Sequence, residues 1–423
     1  MDLRKNCWAI NSTIDSGHDP ACLFSMKKLL ALGALFAFTV TLVHAQQTDS
    51  AIEARIGRVE NGLLPAAAAE GAPVQRMRLG ERMAALKVPG ASIAVINHGA
   101  IEWARGYGMA DVASGRPVTE HTRFQAASIS KPVTAMAALS LVQAGKLALD
   151  KDVNQYLTAW KVPDNQFTAQ RKVTLGALLS HTAGIGVHGY LGYPEGRPLP
   201  SLLEILDGKA PANSDPVRVK TLPGSEWRYS GGGYEIVQLL LTETSRQPFE
   251  QFVQHAVLNK IGMQESSFTL PAAWEATASQ AYLADGSAVA GKWHRYPEMA
   301  AASLWTTPSD LARFAIEIQN SFAGKSNKVL SQKMTDEMLT PGIETFGLGL
   351  FLGEKTDARE SFRHSGGTQG FRNMMFAYTS TGQGAVVMTN SDNGMQLIEE
   401  VLRAIAREYG WTNYLVANAP AAK

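Results

Sequence analysis

Apolar and polar positions alternate through "VPGASIAVINHGAIEWARGYG" (Val88 to Gly108), on both sides of Asn97-His98-Gly99. A period of two around such a turn predicts a β-hairpin, Ala91–Ile96 followed by Ile101–Arg105. The pattern then lengthens. A dense apolar run predicts a helix over Ile129–Ala144, with Pro132 in the first turn, where its missing N–H costs nothing, and Gly145 at the C-terminal cap. From Val173 to about Ser321 helical signals dominate. Gly233–Ser245 and Phe249–Leu258 carry helical periodicity, and Thr307-Pro308-Ser309-Asp310 predicts a capped start for a helix through Ile318. Strand patterns return at Phe346–Leu352, Phe371–Tyr378 and Gly384–Thr389, before a last helix over Gln396–Tyr409. Strands at both ends with helices between them predict an α+β, sandwich-like fold. An antiparallel sheet of N- and C-terminal strands is packed by helices, with a mostly helical subdomain inserted at about residues 150–320.

The N-terminus follows another logic. "MKKLLALGALFAFTVTLVHAQQ" begins at Met26 with two lysines, continues as an uncharged, mostly apolar run and ends on Val43-His44-Ala45. This predicts a secretory signal peptide over residues 26–45, cut after Ala45, and a periplasmic or secreted protein with no stable membrane insertion afterwards. Residues 1–25 look unlike an export signal and read as a non-native extension, with Met26 the initiator. Residues 46–78 read as a loose or helical lead-in, 79–410 as the folded domain and 411–423 as a tail.

Of the 423 residues, 45% are hydrophobic, enough for a substantial core without staples. Lys plus Arg number 39 against 38 Asp plus Glu, so no global field favours nucleic acid or an anionic membrane. Both cysteines, Cys7 and Cys22, precede Met26. The mature chain is therefore expected to have no disulfide, thiol nucleophile or thiolate metal site. No His-x-x-x-His pair or carboxylate cluster stands out, so no metal and no cofactor are expected.

Ser128 and Lys131 stand three residues apart at the start of the apolar helix, a spacing that brings two side chains to one helical face. A serine hydroxyl becomes a nucleophile when a neighbour removes its proton, and a desolvated lysine can do so. Ser-x-x-Lys alone is a weak signal, and the leader repeats it at Ser25 and Lys28. Two further segments supply what such a serine needs. In "PGSEWRYSGGGYEIVQLLL", Tyr229 precedes a glycine run and a helix, and its hydroxyl can shuttle a proton to a leaving group. In "FRHSGGTQGFRNMMFAY", His364-Ser365-Gly366-Gly367 is expected on or beside an edge strand, where glycines admit a substrate to the backbone. A backbone N–H from this stretch, with that of Ser128, is expected to form an oxyanion hole.

In this combination and order, Ser128-Ile129-Ser130-Lys131, Tyr229-Ser230-Gly231 and His364-Ser365-Gly366 resemble the motifs of the serine β-lactamase and penicillin-binding protein superfamily. The likeness is on the side of class C β-lactamases, D-alanyl-D-alanine carboxypeptidases and related esterases. "LLSHTAGI" and "SLWTTPSDLARF" look familiar as well, so the resemblance runs from about Leu79 to Tyr409. It implies a β-lactamase/transpeptidase-like fold and an acyl-enzyme on Ser128, with Lys131 as general base and Tyr229 sharing its proton transfers. It implies that His364 binds substrate and polarises the site, and that the N–H groups of Ser128 and Gly367 form the oxyanion hole. His181 and Thr182 are expected to buttress the site, and Trp227, Tyr234 and Trp305 stand as either pocket or core residues.

One position departs from the pattern. Gly231 stands where these enzymes usually carry an asparagine that contacts the substrate's amide, and glycine offers no side-chain donor or acceptor. Restoring asparagine there is expected to raise activity on amide-bearing substrates. The expectation is thus an exported serine hydrolase acting on an ester, a β-lactam or a peptidoglycan-like D-amino-acid peptide. The alternatives are a sensor or trap that is acylated without turnover, and a non-catalytic scaffold.

Overall fold

The computed structural model describes residues 49–64, 76–353, 357–411 and 414. The extension and signal peptide expected at residues 1–45, and the tail from 415 on, lie outside them. The chain divides into two units, Met1–Arg55 and Ile56–Lys423. The described part of the first, residues 49–55, is helical. The remainder concerns the second.

Seven strands form one antiparallel sheet in the order β3-β2-β1-β9-β8-β7-β6. They are β1 (Gly90–Asn97), β2 (Ala100–Asp111), β3 (Arg116–Pro117), β6 (Phe351–Leu352), β7 (Ser361–Thr368), β8 (Phe371–Tyr378) and β9 (Gly384–Thr389). Two short strands, β4 (Phe124–Gln125) and β5 (Trp305–Thr306), pair separately. The predicted hairpin forms and is longer than its alternation suggested. Its two-residue turn places His98 at φ +52° and Gly99 at φ +73°, the left-handed pair that matches the twist of the flanking strands.

Four long helices cover the sheet and fill the insertion: α1 (Ser130–Gln143), α2 (Gly231–Ser245), α3 (Pro308–Phe322) and α4 (Gly394–Glu408). Thr307 caps α3 as its sequence foretold, its hydroxyl accepting from the Asp310 N–H with Pro308 in the first turn. The two faces of the sheet are buried separately. Ala94, Ile96, Val386 and Met388 join one apolar core with Phe314 and Ile318 of α3 and with much of α1. Their alternate neighbours Ile93, Val95, Ala385 and Val387 are equally buried but outside that core. On that side α4 packs against β8 and β9. With helices on both faces, β1 and β9 are buried along nearly their whole length and not only at alternate positions.

The insertion is less helical than expected. Residues 181–200 carry Gly184, Gly186, Gly189, Gly192 and Gly196 with Pro194, Pro198 and Pro200, and they run as irregular chain. Only short helices interrupt the stretch before α2. The strand expected at Phe346–Leu352 shrinks to Phe351–Leu352. Gly349 stands at φ +93°, and a Cβ there would come within 2.6 Å of the Ala135 side chain, so the chain turns over α1 instead of extending.

Another close approach fixes the start of α1. Strand β7 crosses it at Gly366, where a Cβ would lie 2.0 Å from the Ala126 carbonyl oxygen. Replacing Gly366 with alanine must therefore push β7 from the turn that carries Ser128. Gly366→Ala is expected to cost about 1–3 kcal/mol of stability and to depress any Ser128-dependent activity, which urea unfolding and an ester assay will measure.

Candidate active site

Ser128 lies in a single 3₁₀ turn, Ala127–Ile129, that leads directly into α1. The residue before it, Ala127, is held at φ +53°, a left-handed conformation that costs a non-glycine residue roughly 1–2 kcal/mol. The surroundings over-determine it. The Ser130 hydroxyl donates to the Ala127 carbonyl at 2.6 Å and accepts from the Leu304 N–H at 3.0 Å. The Ala126 N–H donates to the Leu304 carbonyl at 2.7 Å. The strain turns Ser128 outward while the rest of the helix start stays buried.

Lys131 lies beneath it, only 2% exposed. Its Nζ donates to Ser128 Oγ at 3.0 Å and to the Ala301 carbonyl at 2.9 Å. Among the described residues no carboxylate lies within ion-pair distance of it. The Tyr229 ring centre is 5.0 Å from Nζ, and the Tyr229 hydroxyl makes no hydrogen bond to Lys131 or Ser128 among the described residues.

Ser128, Tyr229, His364 and Gly367 line one open cavity of about 500 Å³, with His188, Trp227, Arg228 and Phe351 completing much of its wall. The three motifs, separated in sequence by 101 and 135 residues from Ser128 to Tyr229 to His364, thus meet at one place. Tyr229 is set by His181, whose ring packs against it at 4.3 Å between centres. His181 Nδ1 accepts from the Ser230 N–H at 3.1 Å, and its carbonyl accepts from the Arg228 N–H at 2.7 Å. Burial, and then the nearby Lys131, hold His181 well below the usual histidine range. Trp227 faces the cavity. Tyr234 is fully buried with its hydroxyl on the Leu179 carbonyl, and Trp305 packs on Trp293 and Phe371, so both belong to the core.

His364 is 1% exposed, and burial, with Lys131 adding to it, pushes it down to about 3. Its Nδ1 lies 2.6 Å from the Ser365 carbonyl. A carbonyl only accepts, so the neutral ring carries its proton on Nδ1 and presents a lone pair on Nε2. The third motif therefore supplies an acceptor here, in place of a cation.

The space at residue 231 is already taken. The Gly231 N–H donates to the His188 carbonyl at 2.8 Å. A Cβ on Gly231 would sit 3.1 Å from the Tyr190 ring and 3.2 Å from that carbonyl. An asparagine there requires the His188–Tyr190 segment to give by a few tenths of an ångström, so the gain expected from restoring it depends on that segment yielding. His188 reaches the cavity instead, its ring 5.1 Å from that of Tyr229. The stretch from His188 to Pro200 is where the sequence places pocket-shaping loops, although no spacing rule singles out His188 itself.

Among the described residues no group of three or more His, Cys, Asp or Glu side chains is placed to hold a metal ion. No helix among them is long and apolar enough to cross a membrane.

The chain belongs to the Beta-lactamase family, whose model matches residues 77–409. It is 32% identical over 191 residues to esterase EstB of Burkholderia gladioli, a match covering 43% of this chain and about half, 47%, of that protein. A putative penicillin-binding protein, PbpX of Bacillus subtilis, is 25% identical over 313 residues, covering 72% of this chain and 71% of its own. Among solved structures, the octameric penicillin-binding protein homologue of Pyrococcus abyssi superposes with a TM-score of 0.66 at 24% identity, over 78% of this chain and 76% of that one. The expected β-lactamase/transpeptidase-like fold is thus the observed one, and the family includes esterases, amidases and penicillin-binding proteins.

Behind Lys131 lies a second group of titratable residues. Glu298 is fully buried with the Tyr193 hydroxyl near its carboxyl, and burial raises it to about 7. An acid raised this way is favoured by folding while protonated. Its contribution is complete below about pH 4.5, and is lost as pH rises and the unfolded chain ionises first. Glu298→Gln is therefore expected to raise stability at pH 8, on the order of 3 kcal/mol, with the gain vanishing towards pH 4. Urea unfolding at stepped pH will read this.

Proposed function

We propose that this protein is a serine hydrolase that cleaves ester or amide bonds through an acyl-enzyme on Ser128. The observation that carries the reading is the 3.0 Å contact between Lys131 Nζ and Ser128 Oγ at the floor of an open cavity. In its neutral form Lys131 accepts the Ser128 proton as Oγ attacks the substrate carbonyl. The N–H groups of Ser128 and Gly367 stabilise the developing oxyanion. The proton then passes to the leaving group, with Tyr229 sharing the transfer, and the leaving group departs. Water attacks the ester on Ser128 by the same relay in reverse and frees the acid.

A carboxylic ester is the substrate this reading favours. The likeness to esterase EstB supports it. So does the neutral acceptor at His364, which offers no positive charge to a substrate carboxylate. The reading includes export, with a mature chain beginning at Gln46.

Incubation of the mature protein with p-nitrophenyl butyrate and with nitrocefin, followed by intact mass, tests this. Turnover of the ester with a transient adduct is expected, and Ser128→Ala abolishes both. A stable adduct without turnover would make the protein a trap. Lys131→Ala is expected to slow acylation by several powers of ten while the protein stays folded, on the order of what removing an activating base costs. A near-normal rate would take Lys131 out of the mechanism.

A further inference from the structure

Lys131 can serve only if its Nζ points at Ser128, and the group that aims it is the Ala301 carbonyl. That carbonyl belongs to a short helical turn, Met299–Ala302, which has little to hold it by itself. Its backbone is instead gripped by side chains of α2. The Ala301 N–H donates to Glu235 Oε1 at 3.2 Å, and the Ala300 N–H donates to Gln238 Oε1 at 2.9 Å. On the other side, the Thr134 hydroxyl of α1 donates to the Ala300 carbonyl at 3.3 Å. Glu235 and Gln238 stand three apart on one face of α2, the helix whose N-terminus follows Tyr229.

We propose that Glu235, assisted by Gln238, is a positioning residue for the general base. It holds residue Ala301 by its N–H, so that the carbonyl of the same residue takes one Nζ hydrogen of Lys131 and directs the amine at Ser128. The inference rests on the Ser128–Lys131 reading of the site.

A full-length acidic side chain in a wholly buried position of a hydrophobic helix is costly unless it has a task. Glu235 is 0% exposed and its Oε2 has no partner. Glu235 Oε1 engages a peptide N–H, a bond that needs only an acceptor. Burial and then the neighbouring Glu298 push the Glu235 carboxyl well above the usual range, which favours the neutral acid. Glutamine therefore reproduces the working group, while alanine leaves the Ala301 N–H buried and unpartnered. The lost hydrogen bond frees the 300–301 peptide to rotate, and the Ala301 carbonyl, carried on the next peptide unit, moves with its residue away from Lys131. A misplacement of about 1 Å in a reacting group can cost on the order of 100-fold in rate.

The test compares Glu235→Gln, Glu235→Ala and Gln238→Ala with the parent and Ser128→Ala. Each is assayed on p-nitrophenyl butyrate as mature protein, with far-UV circular dichroism and thermal unfolding alongside. Glu235→Ala is expected to lose on the order of 100-fold in kcat with KM unchanged, because the clamp lies behind the base and outside the cavity. Glu235→Gln is expected to restore most of that loss. Gln238→Ala, a milder lesion of the same clamp, is expected to fall between them with the same unchanged KM. If Glu235→Ala does not fold, the kcat of Gln238→Ala against the parent decides. Folded alanine variants with parental kcat would overturn the proposal. So would a folded Glu235→Gln as impaired as Glu235→Ala, since the carboxylate charge would then be the active feature. Activity surviving in Ser128→Ala would instead refute the underlying mechanism, separately from the clamp.

Discussion

A buried lysine is tolerable only where its amine finds acceptors, and at Lys131 there are two: the Ser128 hydroxyl and the Ala301 carbonyl. The architecture around the site is arranged to keep those two in place. The strained Ala127, the Ser130 hydroxyl that bridges Ala127 to Leu304, and the close passage of Gly366 all fix Ser128. The turn at 299–302 fixes the carbonyl. The Ala301 carbonyl is fixed by packed backbone and the Ser128 hydroxyl keeps only its χ1 rotation, so the distance between amine and hydroxyl depends mostly on how the backbone is packed.

Electrostatics around this pair follow one theme. His181 and His364 are both buried, both feel Lys131, and both are held neutral. Their backbone hydrogen bonds select opposite tautomers. His181 accepts on Nδ1 from Ser230, which leaves the Nε2 proton of its neutral ring. His364 donates from Nδ1 to Ser365, which leaves an Nε2 lone pair. The Tyr229 ring packs against both, so a donor and an acceptor flank it without adding charge. Buried, neutral side chains with fixed hydrogen bonds thus form this end of the cavity, a setting in which charge displacements are screened weakly.

Much of this was legible in the chain because it depends on local spacing. Ser128 and Lys131 meet through helical periodicity, the hairpin through its turn, and α3 through Thr307 and Pro308. The rest depends on which loop lies where. Gly231 reads as a missing contact, and only the folded chain shows how closely the His188–Tyr190 segment lies against it. The insertion looked helical because its apolar content is high, yet glycines and prolines between residues 184 and 223 keep most of its first half irregular. Glu235 and Gln238 are polar positions inside the periodic stretch Gly233–Ser245, and nothing in their spacing singles them out. Their burial comes from segment 298–302, more than sixty positions downstream, which no periodicity can announce.

The pairing of β1 with β9 joins residues 90–97 to residues 384–389 across almost the whole domain. Ser128 and Lys131 are made early in synthesis, whereas β7, which closes over Ser128, and β9, which ties that edge to the first hairpin, come last. A growing or truncated chain therefore carries its reactive pair without a finished cavity. The contacts that complete it close loops of more than two hundred residues, and folding that depends on such distant contacts is slow. The cavity is complete only when the C-terminal strands are in place, so the last third of the chain is a condition for the site to exist at all.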